Sequence, residues 1–158
     1  MCSSDLINND LELIGFKSKI PSAYKGFEAK GVLWGGNLSV LCSLLGTPYF
    51  PKVKGGILML EDVAEPPYRA ERFFTQLLYS GVIDSQSAVV LGYFNKYTLT
   101  PHDDGFDMPA VVKWLRSKTK TPIITGLPMG HESPQFTLPH GTKIGLALEG
   151  STCYLLLH

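Results

Sequence analysis

The chain has 158 residues, of which 44% are hydrophobic and 18% are charged, and its 14 basic residues balance its 14 acidic ones. A chain of this length can bury the core of one domain, and the lack of a basic run excludes a surface for nucleic acid or anionic membrane. No apolar stretch approaches the roughly 18 residues of a bilayer-spanning helix, so we expect one domain with a small, uncharged or zwitterionic partner, no nucleic acid and no membrane.

The first six residues, Met1 to Leu6, contain neither the basic nor the apolar region of a signal peptide, which taken alone predicts a cytoplasmic protein. The run Cys-Ser-Ser-Asp-Leu within them is also what a common sequencing adapter encodes when translated. Our hypothesis is that the true upstream sequence is missing. We expect residues 1–24 to be a non-native or residual linker segment and residues 25–158 to form the domain.

The three cysteines, Cys2, Cys42 and Cys153, show neither Cys-x-x-Cys spacing nor His-rich neighbours. This pattern argues against a disulfide framework or a zinc site. We expect free thiols.

The first predicted elements surround a pair of carboxylates. Glycine-rich sequence from Lys25 to Gly36 predicts an irregular segment, and Asn37 then suits the N-cap of a short helix. After a loop, the run Ile57–Leu60 is apolar on both faces, as expected of a strand covered from both sides. Glu61 and Asp62 come directly after this strand.

Helices and strands alternate through the middle of the chain. The apolar pattern predicts helices at Tyr68–Tyr79 and Met108–Ser117 and buried strands at Ala88–Leu91 and Ile123–Thr125. Further short strands are predicted at Phe136–Leu138, Lys143–Leu148 and Thr152–Leu157. The fold class is therefore α/β, with a mixed sheet and a β-rich C-terminal tail.

A carboxylate and a histidine each follow an apolar strand. In open α/β sheets ligands bind outside the carboxyl ends of strands, so Glu61 and His131 could converge there. A carboxylate that orients a histidine base is part of a nucleophilic triad. Asp62 competes with Glu61 for the first role, and Glu132 or His140 with His131 for the second. From spacing alone, solvated loop residues explain the pair better than a catalytic role does.

No nucleophile accompanies this pair in the sequence. A Gly-x-Ser-x-Gly elbow is absent. Ser39 and Ser43 lie in the first predicted helix, Ser80 precedes a helix-ending glycine, and Cys42 faces the apolar side of a helix, where burial raises the pKa of a thiol. A triad enzyme with this sequence would take its nucleophile from elsewhere.

Two other features of the sequence could form a binding site, one for a metal ion and one for a peptide. The run from His102 to Asp107 contains metal-competent side chains, so a metal-dependent hydrolase using His102, Asp103 and His131 is conceivable. A solvated turn that ends in a helix cap explains the run better, and we expect no metal and no cofactor. Trp34, in the glycine-rich segment, could wall a peptide cleft or pin a loop to the core.

Three separated motifs carry a resemblance to a known family. They are Gly31-Val32-Leu33-Trp34-Gly35-Gly36-Asn37-Leu38, then Leu60-Glu61-Asp62-Val63-x-Glu65-x-Pro67-Tyr68-Arg69-x-x-Arg72, and then Thr125-Gly126-Leu127-Pro128-x-Gly130-His131 with Leu138-Pro139-x-Gly141. In this order the motifs resemble the C-terminal domain of the serine LD-carboxypeptidases. These comprise the murein tetrapeptide carboxypeptidases and the related microcin-immunity peptidases.

The resemblance implies a swivelling β/β/α domain that supplies two members of a Ser–Glu–His triad. Glu61 matches the family's triad glutamate and His131 its triad histidine. Asn37 matches a position that lines the substrate cleft, and we assign Gly36 and Trp34 beside it to the same cleft. The implied substrate is a muropeptide or small peptide that loses a terminal D-alanine in the cytoplasmic recycling of cell-wall muropeptides. A homodimer of the full-length protein is also implied.

The family's N-terminal domain, which holds the nucleophilic serine and the oxyanion hole, has no match here. We therefore expect it to be missing and the polypeptide alone to be inactive, since loss of a triad nucleophile costs roughly a million-fold in rate. The alternative is a non-catalytic interaction domain of the same fold, in which Glu61 and His131 only stabilise loops.

Overall fold

The computed structural model describes residues 13–157. In chain order these residues form β1 (Leu13–Lys17), β2 (Glu28–Asn37), α1 (Leu38–Ser43), β3 (Ile57–Val63), α2 (Pro67–Tyr79), β4 (Ala88–Asn95), α3 (Met108–Lys118), β5 (Ile123–Thr125), β6 (Lys143–Glu149) and β7 (Thr152–Leu157). Strands alternate with helices from β2 to β5, and strands alone occupy both ends of the described chain.

All seven strands belong to one mixed sheet, in the order β1-β7-β6-β2-β3-β4-β5. The pairs from β2 to β5 are parallel, and those among β1, β7, β6 and β2 are antiparallel. Strand β2 belongs to both halves, because Glu28–Val32 pairs with β6 and Leu33–Asn37 pairs with β3. The carboxyl ends of β2 to β5 therefore meet at one edge of the sheet.

Two hydrophobic clusters define three layers. The first joins one face of the parallel strands to the three helices and includes Leu58, Leu60, Val89 and Leu91 with Leu41, Phe74, Leu77, Val111 and Leu115. The second joins the opposite face to the antiparallel strands and includes Ile57, Met59, Val90 and Ile124 with Ile14, Phe16, Ile144, Leu146 and Leu155. The layers are antiparallel strands, parallel strands and helices, which confirms the β/β/α architecture.

The glycine-rich segment before Asn37 is a strand, not the irregular stretch expected from its sequence. A Cβ at Gly31 would collide with the carbonyl oxygen of Gly55, and one at Gly35 with that of Met59. Glycine at these positions permits a close approach of neighbouring backbone. The glycines that suggest a loop in the sequence are therefore required by the close packing of β2 against neighbouring backbone.

Two further strands exceed their predicted ends, and one predicted strand is absent. Strand β3 runs to Val63 and so includes both carboxylates, and β4 continues past Gly92 to Asn95. The stretch Phe136–Leu138 lies in the long connection between β5 and β6. Its alternating apolar residues are partly buried against the second cluster, so loop packing produced the strand-like pattern.

Residues 13–17, which precede residue 25, contribute to the sheet. Strand β1 pairs along its length with β7, although we placed residues 1–24 outside the domain. The hypothesis about Met1–Leu6 and the thiol of Cys2 concern residues outside the described part. Cys42 and Cys153 are buried free thiols, as expected. None of the described helices is long and apolar enough to cross a membrane.

Candidate active site

The two carboxylates lie inside the end of β3 and are almost completely buried. Glu61 is 6% exposed and Asp62 is 3% exposed. The pairing of β3 with β4 shifts register between Leu60 and Asp62. Bulges of this kind re-aim side chains near functional sites. The carboxylates are therefore fixed parts of the sheet, whereas the sequence suggested a position just beyond it.

The connection after β5 crosses the carboxyl ends of the parallel strands. Its Gly126 and Leu127 N–H groups both donate to the carbonyl of Leu91, and Tyr93 N–H donates to the Met129 carbonyl at 2.8 Å. A Cβ at Gly92 would collide with that same Met129 carbonyl. Gly92 thus lets the loop cross the sheet and does not end β4.

His131 reaches the end of β3 from this loop. Its Nδ1 lies 2.9 Å from Glu61 Oε2, and the histidine side chain is 50% exposed while that of Glu61 is 8% exposed. Gly130, at φ 130°, permits the approach, since a Cβ there would lie 3.0 Å from the same Oε2. An Nδ1–H that donates to Glu61 leaves Nε2 with its lone pair at the solvent side. Of the two neighbouring carboxylates, Glu61 is therefore the one that contacts His131, and Asp62 is not.

Asn37 lies beside Glu61 in the strand register and connects the two carboxylates. Its Nδ2 donates to Glu61 Oε1 at 3.3 Å and to Asp62 Oδ1 at 2.9 Å. Its Oδ1 accepts from the Val40 N–H at 3.1 Å, which is the predicted N-cap. Next to it, Gly36 has open space where a Cβ would stand, so backbone there is accessible to a ligand.

The side chain of Trp34 does not face the site at the carboxyl edge of the sheet. Its side chain belongs to the helix-side cluster and is 2% exposed, and its indole N–H donates to Gln86 Oε1 at 2.9 Å. The ring packs edge-on against Phe50. Of the two expectations for this residue, the structure shows the buried one, because β2 continues through it and turns the ring into the core.

The competing polar residues occupy other places. Glu132 accepts from Asn95 Nδ2 at 2.5 Å, and His140 is exposed in a turn. Asp103 accepts from the N–H and the hydroxyl of Thr100, and these bonds hold the pKa of its carboxyl below its usual value. Within residues 13–157, no three His, Cys, Asp or Glu side chains are grouped to hold a metal ion, so the arrangement needed by the metal hypothesis does not form.

None of the hydroxyl and thiol candidates in the described residues hydrogen-bonds to His131. Ser39 Oγ donates to Asn37 Oδ1, Ser43 Oγ to Val40 O, and Ser80 Oγ to Leu77 O. Burial, followed by the nearby charge of Asp62, raises the pKa of the Cys42 thiol to about 12. In the described part of the chain, the side chain of His131 hydrogen-bonds with Glu61 alone.

Three residues form contacts at this site that the sequence does not indicate: Asp62, which it offers only as an alternative to Glu61, and Tyr93 and Asn95, which it does not single out. Asp62 binds the N–H groups of Ser39 and Val63 as well as Asn37, each at 2.9 Å. Tyr93 donates its hydroxyl proton to the Pro134 carbonyl at 2.8 Å, and Asn95 holds Glu132. The signal for Asp62 was a charged residue in an apolar strand. Nothing local marks the other two, because their partners lie about 40 residues away.

A three-layer β/β/α domain in which a buried carboxylate contacts a loop histidine belongs to the α/β class of proteins. The chain belongs to the LD-carboxypeptidase family: the family model of the LD-carboxypeptidase C-terminal domain matches residues 30–146. The members of this family are carboxypeptidases, which are hydrolases.

Individual relatives agree with this assignment. A probable murein peptide carboxypeptidase of Bacillus subtilis is 30% identical over 119 residues, which are 75% of this chain and 37% of the relative. The murein tetrapeptide carboxypeptidase of Pseudomonas aeruginosa is 32% identical over 144 residues, or 88% of this chain and 45% of that protein. The chain thus spans less than half the length of these relatives.

A solved structure shows the same fold. The muramoyltetrapeptide carboxypeptidase from Oxalobacter formigenes superposes with a TM-score of 0.85 at 39% identity, over 92% of this chain and 50% of that one. The mixed α/β architecture is therefore that of the LD-carboxypeptidases.

Proposed function

We propose that this chain is the C-terminal part of a serine-type LD-carboxypeptidase that releases a terminal D-alanine from murein peptides. The observation that carries the proposal is the 2.9 Å contact between His131 Nδ1 and the buried Glu61 Oε2. The names of the relatives, which describe murein peptide and murein tetrapeptide carboxypeptidases, support the substrate class.

In this mechanism His131 is the base and Glu61 its orienter. Nε2 takes the proton of a serine hydroxyl from the N-terminal domain as the serine oxygen attacks the carbonyl carbon of the scissile amide. Glu61 holds Nδ1–H and stabilises the imidazolium that forms. The imidazolium then protonates the leaving amine, the C–N bond breaks, and an acyl-enzyme remains. Water attacks the acyl carbon and gives a proton to Nε2, and the imidazolium returns that proton to the serine oxygen as the bond between this oxygen and the acyl carbon breaks.

Of the three residues assigned to the substrate cleft from the sequence, Asn37 and Gly36 remain part of the proposal. Both lie at the carboxyl end of β2, next to Glu61, and the space above Gly36 is open. A peptide could pass there close to the backbone. Trp34 is not part of this proposal, because its ring is buried in the core.

The chain alone is proposed to lack turnover. Its histidine base has no hydroxyl or thiol partner in residues 13–157, and removing a triad nucleophile lowers kcat by roughly a million-fold. A cytoplasmic role in muropeptide recycling and a homodimer of the complete protein belong to the same proposal.

Complementation tests it. The N-terminal part of the Pseudomonas aeruginosa relative is joined ahead of this chain, and D-alanine release from a murein tetrapeptide is followed. We expect turnover from the joined protein, none from the chain alone, and loss of turnover in His131→Ala and Glu61→Gln. His140→Ala, an exposed histidine later in the same connection, is the matched control. Full turnover in both site variants would leave the non-catalytic interaction domain as the better account.

A further inference from the structure

We propose that Asp62 is a positioning residue that, through Asn37, holds Glu61 in the orientation that fixes the protonation of His131. This inference rests on the proposed function, since it concerns the same pair. It assigns a role to a buried charge that the mechanism itself does not use.

The environment of Asp62 is unusual for a carboxylate. It is 3% exposed, and no lysine, arginine or histidine forms an ion pair with it among the described residues. A buried charge without a counter-ion is costly unless hydrogen bonds satisfy it. Three N–H donors do so here, from Asn37, Ser39 and Val63. The fold therefore maintains this acceptor at a specific place.

The shape of β3 brings Asp62 to the pair. Neighbouring residues of a regular strand point to opposite faces. The irregular register between Leu60 and Asp62 allows the amide of Asn37 to contact both carboxylates. A single side chain thus links Asp62 to Glu61.

Hydrogen bonds hold every group in the link, and two groups have a second donor: Asn37 Oδ1 also accepts from the Ser39 hydroxyl, and Asp62 Oδ1 also accepts from the Val63 N–H. Asn37 Oδ1 is fixed by the N–H of Val40 at the start of α1, which directs its Nδ2 towards the carboxylates. Asp62 Oδ1 takes that amide at 2.9 Å, and Asp62 Oδ2 takes the Ser39 N–H. The remaining amide proton reaches Glu61 Oε1, and Glu61 Oε2 is left for His131. Removing the Asp62 charge frees the amide and with it the Glu61 carboxylate.

The tautomer of His131 separates this role from a purely structural one. An imidazole ring held by Glu61 carries its proton on Nδ1, and ring nitrogen shifts in long-range ¹H–¹⁵N spectra report the fraction of each tautomer. The measurement uses the chain itself at a pH where titration shows the ring to be neutral. We expect the Nδ1–H tautomer of His131 to predominate in the unaltered chain. In Asp62→Asn, the ratio of the Nε2–H to the Nδ1–H tautomer should rise at least several-fold.

A second variant and a control complete the test. Asn37→Ser keeps an N-cap oxygen but lacks the amide, so it should fold and show the same shift even if Asp62→Asn does not fold. Asp103→Asn removes another carboxylate that accepts a backbone N–H, that of Thr100, and should leave the tautomer unchanged. In the joined enzyme, Asp62→Asn should lower kcat about tenfold, as is common for residues behind a reacting group, with little change in KM.

The outcomes distinguish the two proposals. Mostly Nδ1–H in the unaltered chain, retained in Asn37→Ser and in folded Asp62→Asn, would overturn the positioning role and leave the Glu61–His131 pair intact. Mostly Nε2–H in the unaltered chain would reject the pair itself and the positioning role with it.

Discussion

Glu61 and His131 meet at 2.9 Å but are held by different parts of the fold. Glu61 lies in the central sheet, is 6% exposed, and shares an amide donor with Asp62. His131 lies in an irregular loop and is half exposed. The carboxylate is therefore positioned by strand pairing and buried donors, and the histidine by a few contacts between its loop and β4.

The two residues show how one site can combine a rigid carboxylate with an accessible histidine. The orienter benefits from burial, because low polarity strengthens its hydrogen bond to the imidazole. In the proposed mechanism the base must reach a nucleophile and a substrate from outside the domain, and the half-exposed position of His131 allows this. Substitutions around Glu61 in the sheet should alter both the free energy of unfolding and the orientation of Glu61. Substitutions in the loop that carries His131 should alter mainly the position of the histidine and hence turnover.

The largest difference is expected from two glycines of the same loop connection. Gly130 (φ 130°) and Gly141 (φ 84°) each adopt a backbone conformation that costs another residue about 1–3 kcal/mol. A Cβ at Gly130 would press on Glu61 Oε2, whereas one at Gly141 meets nothing within 4 Å. Gly130→Ala should therefore lower turnover of the joined enzyme about 100-fold by misplacing His131, and Gly141→Ala should change it little. Equal turnover in the two variants would show that the fit at Gly130 does not position the histidine.

A smaller effect is expected in the free energy of unfolding, which should differ between a variant in the sheet and a variant in the loop. Asn37→Ala removes a helix cap and an amide donor to two buried carboxylates, so we expect a loss of about 2–3 kcal/mol in the free energy of unfolding. His131→Ala should change it by no more than about 0.5 kcal/mol, because its ring is half exposed. Urea unfolding measures both. A His131 variant as unstable as the Asn37 variant would contradict the division between sheet and loop.

The smallest effect concerns one contact between the loop and β4. Tyr93→Phe removes the hydroxyl that donates to the Pro134 carbonyl, a bond worth about 0.5–1 kcal/mol net. Amide hydrogen exchange should become faster in residues 131–135 and stay the same in β3. Tyr79→Phe, at a side chain that is 81% exposed, is the control. Unchanged exchange in the loop would mean that Tyr93 does not restrain it.

Much of the layout could be predicted from the sequence, because it depends on local patterns. Continuous apolar runs indicated strands β3 to β5. The helix predicted at Met108–Ser117, which the structure extends to Lys118, followed from Asp107, whose side chain accepts from the Ala110 N–H as a cap should. The order of the motifs indicated the family, which the match over residues 30–146 confirms. The proximity of Glu61 and His131 followed from the shared carboxyl edge of parallel strands.

The remaining features depend on distant contacts. Glycines that admit a neighbouring strand cannot be told from turn glycines by sequence alone, so the sequence predicts an irregular segment at β2 and a loop position for Trp34. The same holds for Phe136, whose burial comes from loop packing. The network of Asp62 depends on a strand irregularity and on the start of another helix, neither of which leaves a periodic signal.

The central claim, that Glu61 and His131 act as one unit, is tested most directly by a double-mutant cycle in the joined enzyme. The rates of D-alanine release are measured for Glu61→Gln, for His131→Ala and for the double variant. If the glutamate acts only through the histidine, the double variant is no slower than His131→Ala alone. Losses that multiply would show that the two residues act independently and would contradict the account.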